Sequence, residues 1–232
     1  MLSAAPAFAV TYSVTDDYSA AVTLSSPETL EADSGVTATV TGVVSGPEDL
    51  TISGTGVVVF DNPLNDWTGL TTITADATLR GTTDTIAGSA LVVDEYGTMD
   101  FVQSASGIFS RDISGDGTVW VSGLDEDEAI TFSGTISLST GLMAGVDGHI
   151  NIADTGSITV TGTTSTVLLE HEGSSLNNAG ILTQIGVSSA VNVQVGATVD
   201  NSGTITAPID PFYGYYYPTV SLTADTAMTI NN

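Results

Sequence analysis

The sequence predicts an all-β protein, a single-stranded parallel β-helix of about ten coils with about 21 residues in each coil. Three observations predict this fold: a composition suited to short strands, a recurring apolar-glycine-apolar pattern, and a nearly constant spacing between its copies. A single coil cannot bury its own apolar face, but stacked coils share one continuous core.

The composition favours many short strands separated by glycine turns. The 232 residues include 25 Gly and only 7 Pro, and 41% of the residues are hydrophobic, chiefly Val, Ile, Leu and Ala. The mean hydropathy is +0.28 and only 12% of residues are charged. The chain therefore lacks the charge-rich, apolar-poor composition of a disordered acidic tail.

The charge balance excludes several kinds of partner. Two basic residues against 27 acidic residues give a net charge of -25, which repels nucleic-acid phosphates and anionic lipid headgroups. We therefore expect no nucleic-acid partner. No stretch reaches the roughly 18 uninterrupted apolar residues of a membrane helix, so we also expect no direct membrane insertion. The chain has no Cys, which removes disulfides and thiolate metal sites.

An apolar residue, a small residue four positions later and a second apolar residue two positions further form the recurring pattern. Nine copies begin at Ile52, Ile73, Val93, Ile113, Ile130, Ile152, Leu176, Val199 and Leu222. Their spacings are 21, 20, 20, 17, 22, 24, 23 and 23 residues, and a degenerate earlier copy begins at Leu30. The predicted register therefore runs from residue 52 to 228. A leucine-rich repeat has a similar period, but its Asn-containing leucine scaffold and its helix are absent from this sequence.

The third position of three consecutive copies is polar. Asp154, Asn178 and Asn201 occupy it, so the predicted stack places two amides and a carboxylate in one column near a turn. Stacked Asn side chains hydrogen-bond along such a column. We therefore interpret the three residues as a structural ladder.

The N-terminus is similar to the end of a secretory signal peptide. In residues 1–9, Ala7 and Ala9 form the small-residue pattern of a cleavage site. We expect residues 1–9 to be a signal-peptide remnant and residues 10–232 to form one β-solenoid domain. This prediction implies a secreted or surface-displayed protein.

The segment Thr51 to Gly81 resembles the strand repeat of autotransporter passenger domains. It contains a glycine-rich turn, an apolar strand, Asn65 before the aromatic Trp67, and then Gly-x-Thr-x-Ile with a small residue before Leu79. The later Asn-x-Gly segments look like looser versions of the repeat found in large bacterial adhesins. The resemblance implies a right-handed parallel β-helix on, or released from, a bacterial cell surface. A classical autotransporter would continue into a membrane barrel, whereas this sequence ends at Asn232.

Acidic residues suggest one candidate for calcium binding. Asp112 and Asp116 lie in the first half of a calcium-loop pattern, but Gly123 stands where the pattern requires a carboxylate. Asp125 and Asp127 belong to an acidic run that would either be solvated or recruit a cation. The glycines of the first pattern fall in the coil register, so a structural role competes with calcium binding at Asp112 and Asp116. No other cofactor is predicted.

The segment 208–218 is an aromatic loop between the last two copies. Tyr213, Tyr215, Tyr216 and Tyr217 could stack on sugars or contact a partner protein, and a lid over the end of the solenoid is the alternative. We therefore expect the partner to be a protein or glycan on cell surfaces, or a second copy of the chain in a homo-oligomer.

Catalysis is not predicted. Polysaccharide-active β-helix enzymes combine clustered carboxylates with Arg, Lys or His, but this chain has no Lys and only Arg80 and Arg111. His149 and His171 lie about one coil apart, with no third residue in register that could complete a metal site. We expect an adhesive or self-associating surface module. The alternatives are a subunit of a surface layer or filament and, least favoured, a polysaccharide-active enzyme.

Overall fold

Short parallel strands form the described part of the chain, which is an all-β parallel solenoid of about nine turns with about 22 residues per turn. The computed structural model describes residues 8–125, 127–171, 173–186, 188–193, 196–207, 220–222 and 229–231. The predicted fold class is confirmed. The chain divides into two compact units, unit 1 (Met1–Asp100) and unit 2 (Phe101–Asn232).

Unit 1 consists of strands of two to five residues in which buried and outward-facing residues alternate. Its strands are β1 (Phe8–Tyr12), β2 (Asp16–Tyr18), β3 (Val22–Thr23), β4 (Glu28–Ala32), β5 (Thr37–Val40), β6 (Val44–Ser45), β7 (Leu50–Gly54), β8 (Val57–Phe60), β9 (Thr71–Ile73), β10 (Thr78–Gly81) and β11 (Ala90–Val93), and β12 (Thr98–Val102) crosses into unit 2. Sheet 1A contains β1, β4, β7, β9 and β11, sheet 1B contains β2, β5, β8, β10 and β12, and sheet 1C contains β3 and β6.

The register in unit 1 agrees with the one expected from the spacing. Ile52 pairs with both Leu30 and Ile73, and Ile73 pairs with Val93. All four side chains are fully buried and form one inward-facing column. The degenerate copy at Leu30 therefore belongs to the same column.

Two buried side chains, Asn65 and Trp67, make hydrogen bonds where the chain between β8 and β9 forms a loop. Asn65 is buried; its Oδ1 accepts the Val44 N–H at 2.8 Å and its Nδ2 donates to the Thr85 carbonyl at 2.9 Å. Trp67 is also buried and donates its Nε1–H to Thr71 Oγ1 at 2.9 Å. The Asn-x-Trp element of the passenger-like segment is therefore a core feature, in which a side chain carries the hydrogen-bond ladder from one coil to the next.

Unit 2 has the same alternation on three sheets. Its strands are β13 (Gly107–Phe109), β14 (Asp112–Gly115), β15 (Thr118–Ser122), β16 (Ile130–Phe132), β17 (Thr135–Leu138), β18 (Leu142–Ala144), β19 (His149–Ile152), β20 (Ser157–Val160), β21 (Val167–Leu169), β22 (Ser175–Asn178), β23 (Ile181–Gln184), β24 (Val191–Val193), β25 (Thr198–Asn201), β26 (Thr204–Thr206), β27 (Val220–Leu222) and β28 (Thr229–Asn231). Sheet 2A contains β14, β17, β20, β23 and β26; sheet 2B contains β15, β18, β21, β24 and β27; sheet 2C contains β13, β16, β19, β22, β25 and β28.

The predicted register is wrong at the start of unit 2. Ile113 pairs with Ile136, 23 residues later, and not with Ile130. The pattern beginning at Ile113 connects sheet 2A to sheet 2B, whereas the one beginning at Ile130 connects sheet 2C to sheet 2A. The spacing of 17 residues therefore measures a step between two corners of the coil, and it does not indicate a short coil. The register is wrong at two later copies as well: Ile130 pairs with Ile150, two residues before the predicted Ile152. Leu222 pairs with Val193 in sheet 2B, whereas Val199 pairs with Ile230 in sheet 2C. The end of the last copy, Met228, lies outside the described residues.

The predicted ladder is corrected at one of its three positions. Asn178 is in register with Asn201, and its Nδ2 donates to Asn201 Oδ1 at 2.8 Å. On its other side Asn178 pairs with Ile152, because the turn after β19 is two residues longer than the turn after β22. Asp154 lies in that longer turn, exposed and outside the column.

Three phenylalanines form the aromatic part of the core of unit 2. Phe101, Phe109 and Phe132 are buried and pack edge to face, with ring centroids 5.0 to 6.3 Å apart. The Arg111 guanidinium lies 5.5 Å from the centre of the Phe109 ring, and partial burial lowers the pKa of Arg111. None of the described residues belongs to a helix long and apolar enough to cross a membrane.

Candidate functional site

Carboxylates are nearly absent from the described strands of unit 2. They occur there only at Asp112 and Asp200, and the other described acidic side chains of this unit lie in turns and loops. A chain with a net charge of -25 therefore has few charges on the described sheet faces of this unit, and none on the strands of sheet 2B. A neutral or apolar partner meets the least electrostatic repulsion on these faces.

Sheet 2B has an outward-facing apolar column, the apolar ridge, formed by Trp120, Met143 and Leu168. Trp120 pairs with Met143, and Met143 pairs with Leu168. Each of the three lies between two buried residues of its own strand and is itself half-buried, so its side chain faces outward. Strands β15, β18, β21 and β24 contain no charged residue.

Gly145 lies beside the tryptophan of the ridge. A Cβ placed on Gly145 would meet the Trp120 ring at 3.5 Å, an ordinary van der Waals distance, so this position could hold an alanine without displacing the ring. The rigid parallel strands fix the spacing of the ridge side chains at about 4.8 Å. The ridge can therefore contact an apolar or aromatic surface without being reorganised, and burial of its side chains would supply the binding energy.

The sequence analysis missed the ridge, although a signal for it is present. Strands β15, β18 and β21 each contain three consecutive apolar residues, Val-Trp-Val, Leu-Met-Ala and Val-Leu-Leu. The middle residue of such a triplet must face outward if the other two are buried. Apolar triplets in consecutive coils therefore indicate an outward apolar column.

A second candidate is a cavity of 370 Å³ in unit 1, the N-terminal hollow, lined in part by Val10, Tyr12, Tyr18 and Val22. The Tyr12 and Tyr18 rings lie 4.3 Å apart, and the Tyr18 hydroxyl donates to the Val14 carbonyl at 2.7 Å. Burial, and then the neighbouring Tyr18, raise the pKa of Tyr12. Strands β1, β2 and β3 beside the hollow are the edge strands of their sheets, so the hollow adjoins unpaired backbone groups.

The four aspartates considered for calcium are all exposed. Asp112 Oδ1 accepts the backbone N–H of Thr135 at 2.8 Å, so this carboxylate connects two coils. Asp116 lies in the turn after β14, while Asp125 and Asp127 lie in the loop after β15. Among the residues that the structure describes, no three His, Asp or Glu side chains are close enough together to hold a metal ion.

The tyrosine loop 208–218 lies outside the described residues, and with it Tyr213, Tyr215, Tyr216 and Tyr217.

The two histidines occupy different environments. His149 is buried and its Nδ1 lies 2.8 Å from Ser175 Oγ, its partner in the next strand of sheet 2C. His171 is exposed in the turn before β22 and is not in register with His149. Strand alternation alone does not predict the burial of His149, because its neighbour Ile150 is buried as well.

No protein-family model, curated protein or solved structure matches this chain. The fold defines its class as a parallel β-solenoid.

Proposed function

We propose that the protein is an extracellular, surface-displayed module of the autotransporter-passenger type that mediates adhesion or self-association. The apolar ridge is the observation that carries this proposal, because Trp120, Met143 and Leu168 form an exterior apolar column on an uncharged sheet of a strongly acidic chain. Exposed apolar patches with polar surroundings are typical of interaction sites.

The passenger-like segment supports the assignment of type. Its Asn65 makes the hydrogen bonds that join consecutive coils, and its Trp67 is buried and bonded to Thr71 within its own coil. The features that produced the resemblance are therefore part of the solenoid core. Secretion or display on a bacterial cell is the location that this type implies. The partner would be a protein or glycan of another cell, or a second copy of the chain.

The proposal is tested by displaying the full chain on bacterial cells and measuring their aggregation from about 0.01 M to about 1 M NaCl. Over this range the Debye length falls from about 30 Å to about 3 Å, so repulsion between the acidic chains is removed. We expect aggregation to increase with salt and to weaken about tenfold in Met143→Asp. Burial of such a side chain contributes about 1.5–3 kcal/mol, and 1.4 kcal/mol corresponds to a factor of ten.

Asn177→Asp is the matched control, because it adds the same charge at an exposed position on sheet 2C. It should aggregate like the unchanged chain. Absence of aggregation and of binding to other cells at every salt concentration would contradict the proposal, as would equal losses in the two variants.

A second candidate is a structural subunit of a surface layer or filament. The N-terminal hollow favours it, because edge strands β1, β2 and β3 could pair with another chain. Light scattering during a calcium titration distinguishes this candidate. Growth of large assemblies with calcium supports a subunit, and a monomer that does not respond to calcium rules it out.

A further inference from the structure

Sheet 2A carries a two-column array of hydroxyl side chains on its outer face, the hydroxyl grid. Strands β17, β20, β23 and β26 supply it, and each grid residue flanks a buried or half-buried inward residue of its own strand. The grid consists of Thr135, Ser137, Ser157, Thr159, Thr183, Thr204 and Thr206. Ile181 occupies the remaining position of the array.

The observed register makes the grid periodic in two directions. Ser137 pairs with Thr159, Thr159 with Thr183, and Thr183 with Thr206. Along this column the repeat is the spacing between strands, about 4.8 Å, and along each strand it is the distance between alternate residues, about 6.6 Å. Backbone hydrogen bonds fix the repeat between strands, and the extended backbone fixes the repeat along each strand, so the positions of the grid residues form a regular lattice.

The grid hydroxyls have no hydrogen-bond partner within the part of the chain that the structure describes. Threonines in the adjoining turns behave differently: the Thr155 hydroxyl donates to the Ser133 carbonyl and the Thr164 hydroxyl to the Ser139 carbonyl, both at 3.4 Å. Each grid hydroxyl can therefore donate one hydrogen bond and accept others from an external partner.

The composition of the grid restricts its partner. Strands β17, β20, β23 and β26 have no charged residue and no aromatic side chain, so neither an ion nor a stacked sugar ring finds its usual contacts there. A suitable partner is neutral, forms hydrogen bonds only, and repeats in two dimensions.

We propose that the hydroxyl grid binds the surface of ice. The oxygen rows of hexagonal ice repeat along two axes at distances of the same order as the two repeats of the grid. The hydroxyls can anchor water molecules at these intervals, and ordered water held by several protein groups forms bonds nearly as favourable as direct ones. The apolar ridge of sheet 2B has no part in this activity, so failure of the adhesive proposal would not contradict the ice-binding proposal, or the reverse.

The experiment measures thermal hysteresis and inhibition of ice recrystallisation by the full chain. The unchanged protein should shape ice crystals and slow their recrystallisation. Thr159→Lys and Thr183→Lys, which place a long charged side chain in the middle of the grid, should each lose at least half of the hysteresis. Ile181 is 49% exposed, and Ile181→Thr should increase the hysteresis because it fills the gap in the array.

Thr131→Lys on sheet 2C is the matched control and should retain full activity. Circular dichroism should show the same strand signal in all four variants. The proposal fails if the unchanged chain neither shapes ice nor slows recrystallisation, or if Thr131→Lys loses as much activity as Thr159→Lys. Binding of the unchanged chain to insoluble polysaccharide that is lost only in the grid variants, without any effect on ice, would assign the grid to a glycan and overturn the proposal.

Discussion

Replacement of Asn65 by alanine tests whether a side chain carries the hydrogen-bond ladder across the loop between β8 and β9. The substitution leaves the Val44 N–H and the Thr85 carbonyl buried without their present partner. An unpaired buried polar group costs about 1–3 kcal/mol. Loss of both bonds should therefore lower the free energy of unfolding by about 2–6 kcal/mol.

Urea unfolding followed by tryptophan fluorescence measures this effect. Trp67 is buried in unit 1, and in a Trp120→Phe background it becomes the remaining tryptophan, so its signal reports on the coils around Asn65. Asn62→Ala is the control, because Asn62 also donates to a carbonyl, that of Thr41 at 2.7 Å, but is only half-buried. It should cost less than about 1 kcal/mol, since water can replace the lost bond. Equal losses in the two variants would refute the proposed role of Asn65.

Three further predictions concern other parts of the solenoid. Gly141→Ala should destabilise the fold by about 1–3 kcal/mol, because its Cβ would overlap the Ser165 carbonyl, whereas Gly145→Ala meets only ordinary contacts and should unfold at an unchanged urea concentration. Burial raises the pKa of Tyr12, and the Glu95 carboxylate raises that of Tyr96, so in an alkaline absorbance titration Tyr12→Phe should remove one of the late-ionising tyrosines and leave another. The stability that Tyr12 contributes is lost as the pH rises through its raised pKa. Hydrogen bonds from Ser106 lower the pKa of Glu128. Amide-exchange protection at Ser106 should therefore be complete above the ordinary glutamate pKa and should be lost as the pH falls through the lowered pKa. Glu128→Gln should remove this pH dependence.

The register of unit 1 could be predicted from the sequence because every copy of the pattern there crosses the same corner of the coil. The copies that begin at Ile52, Ile73 and Val93 each run from a strand of sheet 1A to a strand of sheet 1B. Equivalent apolar residues are therefore compared from one coil to the next. Counting from Ile52 therefore leads to the residues that are its true neighbours.

The register of unit 2 could not be predicted because the same alternation occurs at two corners. A strand, a tight turn and a second strand give the same pattern whether they connect sheet 2A to 2B or sheet 2C to 2A. Only the pairing of Ile113 with Ile136 shows which corner is which. Asp154 was misplaced for a related reason, since its turn contains two extra residues that alternation alone does not reveal.

The candidate sites were less predictable than the fold. The charged and aromatic clusters that stand out in the sequence lie in loops, whereas the ridge and the grid consist of neutral residues inside strands. Neither Trp120 nor Thr159 belongs to a chemical motif. Each can be assigned to a surface column only when its paired residue in the neighbouring strand is known. A column of side chains is a property of the stack of coils and is not visible in any one coil.

Because all but two of the described carboxylates of unit 2 lie in its turns and loops, the residues that carry its charge and the residues of its ridge and grid are different ones. An acidic residue can be gained, lost or moved along a turn with little effect on the buried columns or on the outward-facing ones. The two properties can therefore be altered one at a time: turn substitutions would tune how strongly copies repel one another, and strand substitutions would change which surface they bind. Substitutions in the strands could therefore give the protein a new binding target while the acidic residues of the turns keep its net charge unchanged.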